Sequence, residues 1–183
     1  MGNQQSKLGS QELQLLKNET QFSNGEIKSW HKGFLRDLPR PYLTLVEFIE
    51  IHQQFYPFGD PTKFSQLAFK VFDKDRDGKV DFAEFLKVLS ICARGKAGDS
   101  GEIGWQLLCC APSIKDETDG NNSSATKSQY EYVLKAVYEM MGVEPTIEEL
   151  QGKIDKVWGD RITMNKEQYL ETQPTLTNFS GLI

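Results

Sequence analysis

Apolar positions recur along almost the whole chain at helical spacing. Ser23 and Glu26 stand three apart in capping-box fashion, and Ile27, Trp30 and Phe34 follow at i, i+3 and i+7. Thr44 and Glu47 repeat that start ahead of Phe48, Ile51 and Phe55. The Asp60-Pro61 pair suits an N-cap and first helical position, introducing a stripe of Phe64, Leu67, Ala68, Val71 and Phe72. Phe82, Phe85 and Leu89 form the next stripe. Gly95, Gly98, Gly101 and Gly104 then predict a flexible connector, with a lobe boundary near residues 94 to 101. A helical region with Ile103, Trp105, Leu107 and Leu108 follows, and the polar run SIKDETDGNNSSATKS (113–128) predicts a loop. Thr126 with Gln129, Thr146 with Glu149, and Asn165 with Gln168 each start a further helix. Their stripes run through Tyr130, Val133, Leu134, Val137, Tyr138 and Met141, then Leu150, Ile154, Val157 and Trp158, then Tyr169 and Leu170. The pattern predicts an all-α fold.

Between the stripes that end at Phe72 and begin at Phe82 lies DKDRDGKVDFAE, Asp73 to Glu84. A calcium ion takes six to eight oxygens, and a twelve-residue EF-hand loop supplies them from its first, third, fifth, seventh, ninth and twelfth places. Those places hold Asp73, Asp75, Asp77, the backbone carbonyl of Lys79, Asp81 and Glu84. Gly78 falls at the sixth, where the chain turns in a conformation costly for a residue with a Cβ. Val80, at the eighth, suits the short strand that joins two such loops. Lys74, Arg76 and Lys79 lie between the ligands and partly offset their mutual repulsion. One calcium ion is predicted here, at an affinity of about 10⁻⁷ to 10⁻⁵ M.

Such loops work in pairs, and RDLPRPYLTLVE, Arg36 to Glu47, has the length to be the partner. Leu43 stands at its eighth place and Glu47 at its twelfth, yet Arg36, Leu38, Arg40 and Pro41 displace the ligands and the glycine. It is expected to pair through Leu43 without binding metal. TDGNNSSATKSQ, Thr118 to Gln129, lacks carboxylates at its first, fifth, ninth and twelfth places and is expected to be empty. Near WGDRITMNKEQY, Ile162 has strand character, with too few residues after Trp158 to wrap an ion. The chain therefore predicts two lobes of paired helix-loop-helix units, four in all and mostly degenerate. The segments are 1–20 (N-terminal segment and first helix), 21–94 (a pair with one calcium site) and 95–183 (a divergent second lobe and tail).

Charge narrows the partners. A formal net charge of -5 argues against nucleic acid, whose phosphates require a basic face. No apolar run is long enough to span a bilayer, and the polar start MGNQQSKLGS lacks the apolar core of a secretory signal, so a cytoplasmic protein is expected. Cys92, Cys109 and Cys110 have neither zinc nor disulfide spacing and are read as buried, reduced thiols. With His31 and His52 the only histidines and no phosphate loop or GxSxG, no catalytic constellation is present, and His52 is read as a groove-edge or solvated side chain. Gly2 in MGNQQS has the setting of an N-myristoylation site, with Ser6 at the required offset.

The motifs MGNQQSKL, WHKGFLRD, QFYPFGDPTKF, VFDKDRDGKVDFAEFLKVLS and the closing GLI, in this order, resemble the neuronal calcium sensor family at its frequenin-like branch. The likeness is dense to about residue 95 and thins beyond it to VYEMMG and the last three residues. It implies a four-EF-hand fold, a myristoyl group at Gly2 and peripheral membrane association. It also implies a hydrophobic groove holding an amphipathic target helix, such as one from a phosphatidylinositol 4-kinase, a receptor kinase or a channel. Trp30, Phe34, Phe48, Ile51, Phe55, Phe85 and Leu89 stand where the family lines that groove, although aromatic stripes at this spacing equally describe plain core. The family also binds calcium in its third and often its fourth loop, which this sequence has lost. Two roles remain: a calcium sensor and adaptor, or a constitutive interaction protein with one structural ion.

Overall fold

The computed structural model describes residues 8–95, 97–112 and 124–172, except the side chains of residues 97, 98 and 100. In the first half, α1 (Ser10–Glu19), α2 (Asn24–Asp37), α3 (Leu45–Phe55), α4 (Thr62–Phe72) and α5 (Phe82–Arg94) alternate with two short strands, β1 (Tyr42–Leu43) and β2 (Val80–Asp81). The second half continues with α6 (Ala97–Cys110), β3 (Ser124–Thr126), α7 (Lys127–Met141), α8 (Ile147–Trp158), β4 (Thr163–Asn165) and α9 (Lys166–Glu171). The fold is all-α, built from EF-hand units whose loops pair through two-residue or three-residue antiparallel ladders. Leu43 lies opposite Val80 in the first ladder, and Ala125 opposite Met164 in the second.

Five helix starts lie where the capping-box pairs of the sequence put them, and the Asp81–Glu84 box adds one that the pattern did not mark. Capping boxes at Ser23–Glu26, Thr44–Glu47, Asp81–Glu84, Thr126–Gln129, Thr146–Glu149 and Asn165–Gln168 each tie two otherwise orphaned backbone amides. The start of α4 is displaced by one residue: Pro61 occupies the N-cap, and the Asp60 carboxylate accepts from the Thr62 amide at 2.9 Å.

Three expectations about connections are corrected. The glycine-rich stretch is not a flexible connector, because α6 runs through Gly98, Gly101 and Gly104. Gly101 and Gly104 allow close packing: a Cβ at Gly104 would stand 2.7 Å from the Tyr169 hydroxyl oxygen, and one at Gly101 2.8 Å from a Leu170 methyl. The polar insert is ordered at its end, where residues 124–126 form β3 and Lys127 and Ser128 open α7; residues 113–123 lie outside the described set. In the last unit Met164, 1% exposed, occupies the ladder position expected of Ile162, which is 65% exposed.

The first lobe is held by aromatic rings. Phe48 meets Phe69 and Phe72 at centroid distances of 5.6 and 5.2 Å, and Phe34 meets Phe82 and Phe85 at 5.6 and 5.4 Å. Edge-on and tilted pairs of this kind add about 0.5 to 1.5 kcal/mol beyond the area they bury. The second lobe is closed by Trp105 on Tyr169 and Tyr130 on Trp158. Helix α4 packs against both α6 and α7, so the lobes share a contact surface. At its edge the Asp60 amide donates to the Glu139 carbonyl at 2.9 Å, beside a Lys63–Glu139 ion pair at 2.7 Å.

Candidate calcium loop and apolar face

Helix α4 ends at Phe72, and the loop that follows is wound around its own carboxylates. Asp73, 8% exposed, accepts from the Asp77 amide at 3.1 Å through one oxygen and from the Gly78 amide at 3.0 Å through the other. Asp75 accepts from the Asp77 amide at 3.1 Å and Asp77 from the Lys79 amide at 2.8 Å. Glu84 accepts from the Asp81 amide at 3.1 Å, and its second oxygen reaches back to the Lys74 amide at 2.8 Å. Two residues take positive φ to let the chain turn, Arg76 at 61° and Gly78 at 80°.

The result is convergence: oxygen atoms of Asp73, Asp75 and Glu84 lie within 4.8 Å of one another. Carboxylates this close repel, and the backbone amides aimed at them offset only part of that cost. An all-oxygen, acidic set suits a hard divalent cation. Of the intervening cations, Lys74 turns outward, while Lys79 stays within 3.9 Å of the Asp77 carboxylate. Lys74 extends to the Gln106 side chain, and the Lys79 ammonium lies 5.0 Å from the centre of the Tyr42 ring.

The paired loop has a different solution. Glu47, at its twelfth place, binds the Arg40 guanidinium at 2.7 Å, so a side chain of the loop itself supplies the positive charge. Hydrogen bonds from Thr44 and then from Arg40 hold the Glu47 carboxyl down at about 2. This ion pair was not anticipated from the sequence, although Arg40 at the fifth place and Glu47 at the twelfth were its visible signal.

The residues assigned to the groove do not share one environment. Trp30 and Phe55 are exposed, at 42% and 69%, and Ile51 and Phe85 are half-buried. Phe34, Phe48 and Leu89 are buried in the core instead, Phe34 against rings of α5 and Phe48 against rings of α4. Trp30 is flanked by Phe22 and Phe85, with the Arg94 guanidinium over the Phe22 ring at 4.6 Å from its centre. Phe58, 92% exposed, adds an apolar residue the sequence reading passed over.

Two further assignments are corrected. His52 is buried at 4%, not solvated: its ring packs on Phe48 and Phe64. Its Nδ1 donates to the Phe48 carbonyl at 2.9 Å, and burial lowers its pKa. The cysteines are not all buried, since Cys109 is exposed and Cys92 and Cys110 are half-buried. Burial raises all three thiols, Cys92 to about 11, which keeps them protonated at neutral pH. Gly2 lies outside the described residues.

Comparison with known proteins agrees with this architecture. The family model for the EF hand domain matches residues 66–91, which enclose the Asp73 loop. Neuronal calcium sensor 1 of Lymnaea stagnalis is 38% identical over 156 residues, covering 85% of this chain and 77% of the relative. The chain belongs to the neuronal calcium sensor family. This neuronal calcium sensor is also 52% identical over 95 residues to neuronal calcium sensor 1 of Aplysia californica, a match covering 52% of the chain and 50% of that relative. Human recoverin is 32% identical over 145 residues, covering 79% of the chain and 68% of recoverin. The chain thus spans about half the length of the Aplysia relative and more of the other two. Among the described residues no helix is long and apolar enough to cross a membrane.

Proposed function

We propose that this chain is a calcium-responsive, membrane-associated adaptor and not an enzyme. The observation that carries the reading is the convergence of Asp73, Asp75 and Glu84 within 4.8 Å in a loop between two amphipathic helices. Asp73, Asp75, Asp77, the Lys79 carbonyl, Asp81 and Glu84 would hold one calcium ion, which supplies the positive charge the carboxylate cluster lacks. Glu84 is the lever. It sits on the first turn of α5, so redirecting its carboxylate from the Lys74 and Asp81 amides moves that helix relative to α4.

Phe34, Phe48 and Leu89 are the side chains such a movement would uncover, extending the exposed Trp30 and Phe55 into a groove for an amphipathic helix. The partner in this reading is a membrane protein or membrane-bound kinase, of the phosphatidylinositol 4-kinase, receptor kinase or channel type. A myristoyl chain on Gly2 alone gives membrane binding of only about 10⁴ M⁻¹, so the partner supplies the second contact.

The burial of Phe34, Phe48 and Leu89 favours a second reading, a constitutive interaction protein with a structural ion. Titration of a hydrophobic dye separates the two. A sensor shows dye fluorescence rising with calcium in the wild-type chain and not in Glu84→Gln. A rise in thermal stability without a dye response identifies the structural ion, and neither response refutes both.

A further inference from the structure

In all four loops the ninth residue caps the following helix and the twelfth returns the cap: Thr44 with Glu47, Asp81 with Glu84, Thr126 with Gln129, and Asn165 with Gln168. The third pair does something more. Gln129 is 6% exposed; its Oε1 accepts from the Thr126 amide at 2.9 Å, and its Nε2 donates to the Ala111 carbonyl at 3.1 Å. The network fixes the orientation of the side-chain amide, because the Thr126 N–H requires an oxygen and the Ala111 carbonyl requires an N–H.

Ala111 has a telling place. It follows α6 directly, as Asp73 follows α4, so it takes the place where the chain leaves the entering helix, although counting back twelve residues from Gln129 puts Thr118 first. In the Asp73 loop the first and twelfth positions are both carboxylates, Asp73 and Glu84, which need a cation between them. In the third loop the residue leaving α6 offers a backbone carbonyl and the twelfth a neutral amide, already joined. We infer that Gln129 is an internal substitute for the ion, a latch that holds α6 against α7 in one arrangement whether or not calcium is present.

The chemistry favours an amide here over a carboxylate. Ala111 is 6% exposed, and a buried carbonyl left without a donor costs free energy. A carboxylate at position 129 would still cap α7, as Glu47 and Glu84 cap α3 and α5, but would set an anionic oxygen against the Ala111 carbonyl. A contact from α7 also reaches the start of the fourth loop. The Lys127 ammonium donates to Asp155 at 2.9 Å and approaches the carbonyl of Gly159, the residue that directly follows α8, at 3.4 Å. The second lobe then serves as a fixed support against which the first lobe moves. This inference does not depend on the first lobe taking up calcium.

The test is Gln129→Glu in the full chain, melted in chelator and again in saturating calcium. A latch predicts a Tm several degrees below wild type in chelator, with the same deficit remaining in calcium. An unchanged Tm in chelator would reduce Gln129 to a helix cap, and a deficit erased by calcium would reveal a metal loop one carboxylate short; either result overturns the inference. If that variant does not fold, amide hydrogen exchange on Glu84→Gln replaces it. The Thr126 and Gln129 amides are expected to exchange equally with calcium and with chelator, whereas a tenfold slowing by calcium contradicts the latch.

Discussion

Glu84 accepts the backbone amide of Lys74 at 2.8 Å across ten residues of sequence, closing the acidic loop on itself. The same carboxylate caps α5 through the Asp81 amide. One side chain therefore belongs at once to the loop that would hold the ion and to the first turn of the helix that would respond. Loop chemistry and helix position are coupled through it without any intermediary.

Core and partner-facing aromatic residues separate by mutation. Phe48→Ala removes a ring that is 3% exposed and packed on Phe69 and Phe72, and is expected to cost about 3 to 5 kcal/mol in a denaturant titration. Phe55→Ala removes one that is 69% exposed and should cost less than about 0.5 kcal/mol while weakening capture of an amphipathic helical peptide. Equal costs at the two positions would contradict the assignment.

His52 gives stability a pH dependence of defined sign. Its folded-state pKa is lowered by burial, so the unfolded chain binds the proton more readily. Its contribution is fully present above the unfolded value of about 6.5 and is lost as pH falls toward the folded value, at up to about 1.4 kcal/mol per pH unit. Chemical denaturation between pH 7 and 5.5 should show that decline. His52→Phe, which keeps a ring between Phe48 and Phe64, should flatten it, and an unchanged slope would assign the pH dependence elsewhere.

Gly59 tests the lobe junction. A Cβ there would meet the backbone carbonyl oxygen of Met140 at 2.0 Å, an obstacle no rotamer change relieves. Gly59→Ala is expected to lower stability by about 1 to 3 kcal/mol, since the two backbone segments must move apart where Asp60 bonds Glu139. Gly33→Ala, in α2 with open space around it, is the control and should raise stability by about 0.5 to 1 kcal/mol. Thermal or urea unfolding of the two variants measures the contrast.

Local rules made much of this molecule legible in advance. Capping boxes declare themselves by a polar residue and a partner three places on, and each such pair singled out in the sequence starts a helix. Leu43 and Val80 were recognisable as ladder partners because loop numbering places both at the eighth position. The fourth unit was harder, since its loop is short and Ile162 outranks Met164 in strand propensity. The Asn165–Gln168 pair marked the ninth and twelfth places and put Met164 at the eighth.

Long-range features were hidden for a physical reason. The Gly101 and Gly104 contacts with Leu170 and Tyr169 depend on how α9 folds back on α6, which no local window reports. His52 sits on the same stripe as Phe48 and Phe55, and only the position of α4 decides that it is buried while Phe55 is not. The bond from Gln129 to Ala111 likewise crosses a polar insert whose length obscures which residue stands where the chain leaves the entering helix.

The central claim is that one loop, Asp73 to Glu84, carries the response to calcium. Calorimetric titration of the full chain with calcium in physiological magnesium, beside Glu84→Gln, tests it most directly. The account predicts one site at about 10⁻⁷ to 10⁻⁵ M in the wild-type chain, with binding weakened at least a hundredfold or lost in the variant. Absence of binding to the wild-type chain, or an undiminished site in Glu84→Gln, would contradict it.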